Sequence, residues 1–132
     1  MEESLIKAAI LAAQNSYSPY SNFTVGSALL AENGKIYLGC NIENGAYTPS
    51  NCAERTAFFK AISEGVTKFK AIAIVGGHDK NFDDFCSPCG VCRQVMSEFC
   101  SKDFEIILGK KDLSYKKYTL EELLPHSFEL ED

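Results

Sequence analysis

Several features that would place this chain in a functional class are missing from its 132 residues. No apolar run approaches the roughly 20 residues that cross a membrane as a helix, so we expect no membrane partner. There is also no excess of positive charge, because 13 Lys and Arg face 18 Asp and Glu, for a net charge of −5. A nucleic-acid-binding face must neutralise phosphates with basic side chains. The balance therefore disfavours a nucleic-acid partner.

The chain begins Met1-Glu2-Glu3-Ser4, which is acidic where a secretory signal is basic. We therefore expect no export and a cytoplasmic location. Six cysteines are present, and thiols in a reducing compartment serve metal binding or catalysis more often than disulfides. Their number alone does not exclude disulfides, but their spacing carries more information.

The pattern of apolar residues predicts one domain over residues 1–132, without repeats, linkers or low-complexity segments. Helices are predicted at 4–14, 52–64 and 89–100, with a short fourth helix from Thr119; strands at 23–31, 35–42, 71–75, 105–108 and 115–118; and a long polar loop at 76–88. Asn33-Gly34 indicates a hairpin, since both residues tolerate positive φ. This order predicts an α/β fold with three α-β-α layers and a mixed sheet of roughly five strands.

Two fragments place cysteines at predicted helix starts: Asn51-Cys52-Ala53-Glu54-Arg55 and Pro88-Cys89-Gly90-Val91-Cys92. Free amide groups and the helix dipole lower a thiol pKa there, which favours the metal-binding thiolate. Cys89 and Cys92 can reach one ion from a single helical turn. If the two helix starts meet, Cys52 supplies a third ligand. Three ligands with one open position is the arrangement of catalytic zinc.

Two neighbours of Cys52 then acquire chemical roles. Glu54 lies in the same first turn, where it can hydrogen-bond a water at the metal and act as general acid and base. Three thiolates and Zn²⁺ sum to a charge of −1. Arg55, on the same face as Cys52, can donate to the thiolates and offset that charge. Arg93 is a weaker candidate for the same task.

A less specific interpretation uses the same cysteines. Cys86, Cys89 and Cys92 read C-x-x-C-x-x-C, which with Cys52 would make a structural four-cysteine zinc site. That interpretation leaves Glu54 and Arg55 unexplained. Cys40 and Cys100 are expected to be buried apolar thiols.

The two fragments resemble the signature of zinc nucleoside and base deaminases, in which a His or Cys with a nearby Glu precedes P-C-x-x-C. The chain is similar in particular to the short, homotetrameric cytidine deaminases over nearly its whole length. Further matching stretches are Tyr20–Gly26, Gly39–Asn44, Asn51–Ala57, Cys92–Val95 and Leu123–Pro125. The loop from Gly77 to Cys86 looks longer than usual, and Cys86 is an additional thiol beside the site.

The resemblance implies hydrolysis of cytidine and 2′-deoxycytidine to the uridines and ammonia, as in pyrimidine salvage. In that reaction zinc hydroxide attacks carbon 4 of the base, and Glu54 shuttles the protons. It implies one Zn²⁺ per subunit on Cys52, Cys89 and Cys92. Its substrate-binding residues match Phe23, Asn41, Glu43 and Ala53, with Asn41 and Glu43 on the ribose hydroxyls. It further implies a homotetramer in which Ala46, Tyr47 and Phe128 reach a neighbouring subunit's site.

Taken from the residues alone, several of these positions keep a second interpretation. Phe23 also fits a plain core position, and Tyr47 and Phe128 fit ordinary packing. Asn41 and Glu43 also fit a turn, although two polar residues spaced by one project to the same side of a strand. Rival functions are a polynucleotide deaminase, a non-catalytic zinc module, and a deaminase of a cytosine-containing antibiotic or a purine base.

Overall fold

A computed structural model describes residues 1–130, and over that range it has four helices and five strands. In chain order they are α1 (Glu2–Ala13), β1 (Phe23–Ala31), β2 (Ile36–Cys40), α2 (Ala53–Ser63), β3 (Phe69–His78), α3 (Gly90–Phe99), β4 (Glu105–Gly109), β5 (Tyr115–Thr119) and α4 (Leu120–Leu123). None of the helices in this range has the length and hydropathy of a membrane span.

The strands form one sheet in the order β2-β1-β3-β4-β5. β3 and β4 are parallel, and the other neighbouring pairs are antiparallel. α3 makes the crossover between the two parallel strands, as expected of a β-α-β connection. The predicted mixed five-stranded α/β sheet with helices on its faces is confirmed.

Alternating side chains of β3 divide the core into two layers. Ala71, Ala73 and Val75 pack with α1 on one face. Ile72 and Ile74 pack with α2 and α3 on the other. All five side chains are at most 1% exposed, which explains the unbroken apolar run at a strand covered on both sides.

The start of α2 lies unusually close to the sheet. A Cβ built on Gly39 of β2 would stand 2.2 Å from the Ala53 carbonyl oxygen and 2.7 Å from the Ala57 nitrogen. The Ser27 hydroxyl of β1 donates to the same Ala53 carbonyl over 2.9 Å. Small side chains in β1 and β2 therefore fix the position of the N-terminus of α2.

The structure corrects some predicted boundaries. β3 continues to His78, because Gly76 and Gly77 remain paired with Val25 and Thr24 of β1, so the loop is shorter than expected. In the β1–β2 hairpin only Gly34 of the Asn33-Gly34 pair has a positive φ, of 90°. α2 and α3 each begin one residue later than predicted, which makes Cys52 and Cys89 their N-cap residues.

Candidate active site

Three cysteine sulfurs converge where α2 and α3 begin. The Sγ atom of Cys52 lies 3.7 Å from that of Cys89, and the Sγ atoms of Cys89 and Cys92 are 3.4 Å apart. All three lie within 4.8 Å of one another. Cys92 is fully buried, Cys52 is half-buried and Cys89 is exposed. The triad is therefore closed on the core side and accessible on the other.

The surroundings favour the thiolate form of Cys52, whereas the hydrogen bond to Cys52 and burial raise the pKa of Cys92. The Arg55 guanidinium donates to Cys52 Sγ over 3.2 Å, and the Cys92 amide donates to Cys89 Sγ over 3.4 Å at the start of α3. Hydrogen bonds from the Cys92 thiol and from Arg55 lower the pKa of Cys52 to about 5. Three soft sulfur ligands this close together suit zinc rather than hard cations. The donor set therefore fits a zinc ion.

A buried carboxylate lies beside the thiols. Glu54 is only 4% exposed, and its Oε1 atom has no hydrogen-bond partner among residues 1–130. Burial raises the pKa of Glu54 to about 7. A buried polar atom without a partner carries a free-energy penalty of about 1–3 kcal/mol. Such an oxygen is suited to a ligand that the chain alone does not supply, and a pKa near neutrality suits proton transfer in both directions.

The two arginines near the cysteines differ in their contacts. Arg55 lies against Cys52, as described above. Arg93 instead binds other parts of the chain: its Nε donates to the Pro88 carbonyl over 2.8 Å and its Nη1 to the Leu123 carbonyl over 2.7 Å. Its Nη2 donates to Ser87 Oγ over 2.9 Å. Arg93 therefore ties the loop before α3 to α4, and it does not share the role expected of Arg55.

Cys86 stands apart from the triad. It packs on the core beneath α2 and α3 and against Gly76, where a Cβ would come within 2.7 Å of its sulfur. Burial raises the pKa of Cys86 to about 12. This arrangement does not form the alternative four-cysteine site. Cys40 and Cys100 are only half-buried, less than expected, and burial raises the pKa of each.

Asn41 and Glu43 follow the end of β2, and their side chains bind the start of β1 and the loop before it. The Asn41 side chain bonds to the backbone of Phe23 and Val25. Glu43 accepts hydrogen bonds from the Tyr20 and Ser21 amides over 3.0 and 3.2 Å, and from the Ser21 hydroxyl. The bonds from Ser21 lead those that hold the pKa of Glu43 below its ordinary value. Asn41 therefore holds the start of β1, and Glu43 holds the loop that precedes it.

The remaining predicted positions fall into two groups. Phe23 is half-buried at the start of β1 and meets the His78 ring edge-on, with centroids 4.9 Å apart. Ala53 is fully buried in the first turn of α2, next to Glu54. By contrast, Tyr47 and Phe128 are 80% and 68% exposed, and Ala46 is also exposed. Residues 1–130 of this one chain therefore do not cover the last three.

The structure adds positioning residues that the sequence analysis did not single out. Ser27 and Gly39 place the start of α2, and Ser16 donates to the Asn41 side chain. Glycine inside a strand pattern signals a close backbone approach, so Gly39 was open to inference. No comparable signal marks Ser16, since serine in a loop is common.

Comparison with known proteins agrees with this arrangement. The profile of the family described as "Cytidine and deoxycytidylate deaminase zinc-binding region" matches residues 1–108. The chain is 50% identical to the cytidine deaminase of Sporosarcina psychrophila, over 98% of this chain and 93% of that protein. It is 48% identical to that of Halalkalibacterium halodurans, over 97% and 94%.

Solved structures give the same result. The crystal structure of cytidine deaminase from Burkholderia pseudomallei superposes with a TM-score of 0.89 at 42% identity, covering 97% of this chain and 99% of that one. The cytidine deaminase from Mycobacterium tuberculosis gives a TM-score of 0.80 at 35% identity, covering 96% of each chain. The family profile, the relatives and the fold thus agree, and the chain belongs to the zinc-binding cytidine and deoxycytidylate deaminase family.

Proposed function

We propose that the chain catalyses the zinc-dependent hydrolysis of cytidine and 2′-deoxycytidine to uridine and 2′-deoxyuridine, with release of ammonia. The observation that carries the proposal is the buried Glu54 carboxylate beside three convergent thiols; one oxygen of this carboxylate has no hydrogen-bond partner within the described part of the chain. The relatives at 48–50% identity are named cytidine deaminases. In this proposal residues 1–132 act as one catalytic domain in the cytoplasm, where the free thiols remain reduced.

Cys52, Cys89 and Cys92 would hold the zinc ion. When bound, zinc supplies Lewis acidity, which makes water acidic enough to act as a nucleophile near neutral pH. Arg55 donates to Cys52 and so offsets the net negative charge of three thiolates and one divalent cation. Without that positive charge the ion would be a weaker Lewis acid.

Glu54 would move the protons of the reaction. Its carboxylate accepts a proton from the attacking water and delivers it to ring nitrogen 3 of the base. It then takes the proton left on the added hydroxyl and protonates the departing amine, so that water and cytidine yield uridine and ammonia. Burial raises the pKa of Glu54 to about 7, which suits a group that must both accept and release protons.

The nucleoside would lie between Glu54 and the start of β1 with its preceding loop, which Asn41 and Glu43 hold. Phe23 presents an aromatic ring to the base, and the backbone near Ala53 supplies polar groups for the pyrimidine. An ionised Glu43 only accepts hydrogen bonds, whereas the Asn41 amide can donate. Together they suit the two hydroxyls of a ribose.

A homotetramer would complete the site. Tyr47 and Phe128 expose large aromatic surfaces, and a nucleoside needs a more enclosed pocket than one small subunit gives. We therefore propose that Ala46, Tyr47 and Phe128 close over the site of a neighbouring subunit. Dilution should lower activity in step with dissociation, as measured by light scattering. Monomers that retain full activity would contradict the shared site.

The test is to incubate the zinc-loaded protein with cytidine, with 2′-deoxycytidine and with a cytosine-containing oligonucleotide. We expect rapid formation of uridine and 2′-deoxyuridine, followed by near-ultraviolet absorbance, with the oligonucleotide unchanged. Conversion of the oligonucleotide alone would favour a polynucleotide deaminase. A folded, zinc-loaded protein that converts neither nucleoside would contradict the proposal.

A further inference from the structure

The Asn41 side chain extends the β1–β2 ladder beyond the last residue of β2. Its Oδ1 accepts from the Val25 amide over 3.0 Å, and its Nδ2 donates to the Phe23 carbonyl over 2.8 Å. The Asn41 amide nitrogen donates to the Val25 carbonyl over 3.2 Å. These contacts with β1 determine which end of the side-chain amide carries the oxygen.

A second acceptor contact comes from outside the sheet. The Ser16 hydroxyl donates to Asn41 Oδ1. Its other contact, to Ser18 Oγ at 3.2 Å, is longer than the modal distance of a hydroxyl hydrogen bond. Ser16 follows α1 and is held there, since its amide donates to the Ala13 carbonyl over 3.1 Å.

The backbone next to Ser16 is joined to the same segment. The Tyr17 amide donates to the Asn41 carbonyl over 3.0 Å, and the Glu43 amide donates to the Tyr17 carbonyl over 2.8 Å. These backbone hydrogen bonds between the Tyr17 and Asn41–Glu43 segments place the Ser16 hydroxyl next to Asn41. The backbone of this loop is therefore fixed next to Asn41, independently of the Ser16 side chain.

A count of donors and acceptors shows what Asn41 still offers. An amide oxygen has two lone pairs and an amide nitrogen has two hydrogens. Val25 and Ser16 take both lone pairs, and Phe23 takes one hydrogen. Within residues 1–130 the group that remains is a single N–H. Because χ2 of asparagine is broad, two contacts on the oxygen restrict the plane of the amide more than one does.

We propose that Ser16 is a positioning residue for nucleoside binding. By occupying the second lone pair of Asn41 Oδ1, it fixes the tilt of the amide, so that the remaining N–H points to a ribose hydroxyl oxygen. Asn41 then serves the sugar only as a donor, and Glu43 serves it as an acceptor. This inference rests on the proposed function, since it assumes that Asn41 binds the ribose.

The test compares Ser16→Ala with the unaltered protein on cytidine and on 2′,3′-dideoxycytidine, which lacks both ribose hydroxyls. One net hydrogen bond corresponds to about a three- to tenfold change in affinity. We expect KM for cytidine to rise by that factor with kcat within about twofold. For dideoxycytidine, kcat/KM should change less than about twofold, because the hydroxyl that Asn41 serves is absent.

Two further variants separate the hydrogen bond from packing. Ser16→Thr keeps the hydroxyl and should restore KM, whereas Ser16→Cys keeps the volume with a weak donor and should behave as Ser16→Ala. Ser63→Ala removes an exposed serine whose hydroxyl bonds the Lys60 carbonyl in α2, and should leave both constants unchanged. Unfolding curves of all variants report any loss of structure.

An equal loss on both nucleosides, or no loss on cytidine, would overturn the role of Ser16. Failure of the unaltered protein to convert cytidine would instead contradict the proposed function. The two failures are therefore distinguishable within one experiment.

Discussion

The Arg55 guanidinium lies 3.2 Å from the sulfur of Cys52, one helical turn away on α2. The Nε atom of the same guanidinium is buried without a partner among residues 1–130. A fixed positive charge therefore faces the thiol triad from the helix that also carries Glu54. In the proposed function this charge acts on the metal ligands, next to the residue proposed to carry protons.

Arg55→Ala should weaken both metal binding and turnover. Residues that support metal ligands typically contribute 10- to 100-fold, and we expect kcat and zinc affinity each to fall within about that range. For Arg55→Lys, both quantities should lie between those of the unaltered protein and those of Arg55→Ala. Zinc competition with a chelator and steady-state kinetics measure both effects. Lys7→Ala removes an exposed charge from α1 and should change neither quantity. If Arg55→Ala had the same kcat and zinc affinity as this control, the role of Arg55 would be contradicted.

Cys89 and Cys86 provide a matched pair of cysteine variants. Cys89→Ala should abolish stoichiometric zinc and lower stability, since metal binding contributes to folding at such sites. Cys86→Ala should keep one zinc per subunit, because Cys86 stands outside the triad. Elemental analysis of the purified variants measures the metal directly. Loss of zinc from Cys86→Ala as well as from Cys89→Ala would revive the four-cysteine site.

Gly39→Ala should displace the start of α2, which carries Cys52, from the sheet. The new Cβ would stand 2.2 Å from the Ala53 carbonyl oxygen, so α2 must move away from the sheet. We expect a loss of about 1–3 kcal/mol in the free energy of unfolding, with weaker zinc binding because Cys52 moves too. A Cβ at Gly90 would meet no atom of the described residues within 4 Å, so Gly90→Ala is the control for stability. Denaturant unfolding that ranks the two variants equally would contradict the close approach.

Cys100 should make stability fall at alkaline pH. Burial raises its pKa to about 12, whereas the pKa of a thiol in the unfolded chain is about 8.5. The unfolded chain therefore loses this proton first as pH rises, and the free energy of unfolding must decrease above roughly that pH. Cys100→Val should flatten this decrease between about pH 8.5 and 10.5. Unfolding curves of both proteins at each pH measure this difference. An identical slope of unfolding free energy against pH in the two proteins would refute the role of Cys100.

The sequence predicted those parts of the site that depend on local spacing. Cys52 and Glu54 share one helical turn, and so do Cys89 and Cys92, so helix geometry alone groups each pair. The unbroken apolar run in β3 and the order of elements were sufficient to predict the sheet. The meeting of the two helix starts followed from the topology once the two helices were assigned to one sheet.

Other features depend on contacts between distant segments, which spacing does not reveal. The Ser16 contact with Asn41 joins positions 25 residues apart and depends on how the loop after α1 packs. Arg93 resembled a second charge-tuning arginine because it follows Cys92, but the position of α4 directs it to the Leu123 carbonyl. Gly76 and Gly77 looked like loop residues, yet pairing with β1 keeps them in the strand.

The central claim is that the buried Glu54 carboxylate transfers protons during deamination of cytidine. The most direct measurement is kcat for cytidine with the zinc-loaded protein and with Glu54→Gln, which keeps the shape of the side chain but removes its basicity. We predict that Glu54→Gln binds one zinc and folds normally, yet loses at least about 10²- to 10⁴-fold in kcat. Near-normal turnover by that variant would contradict the account.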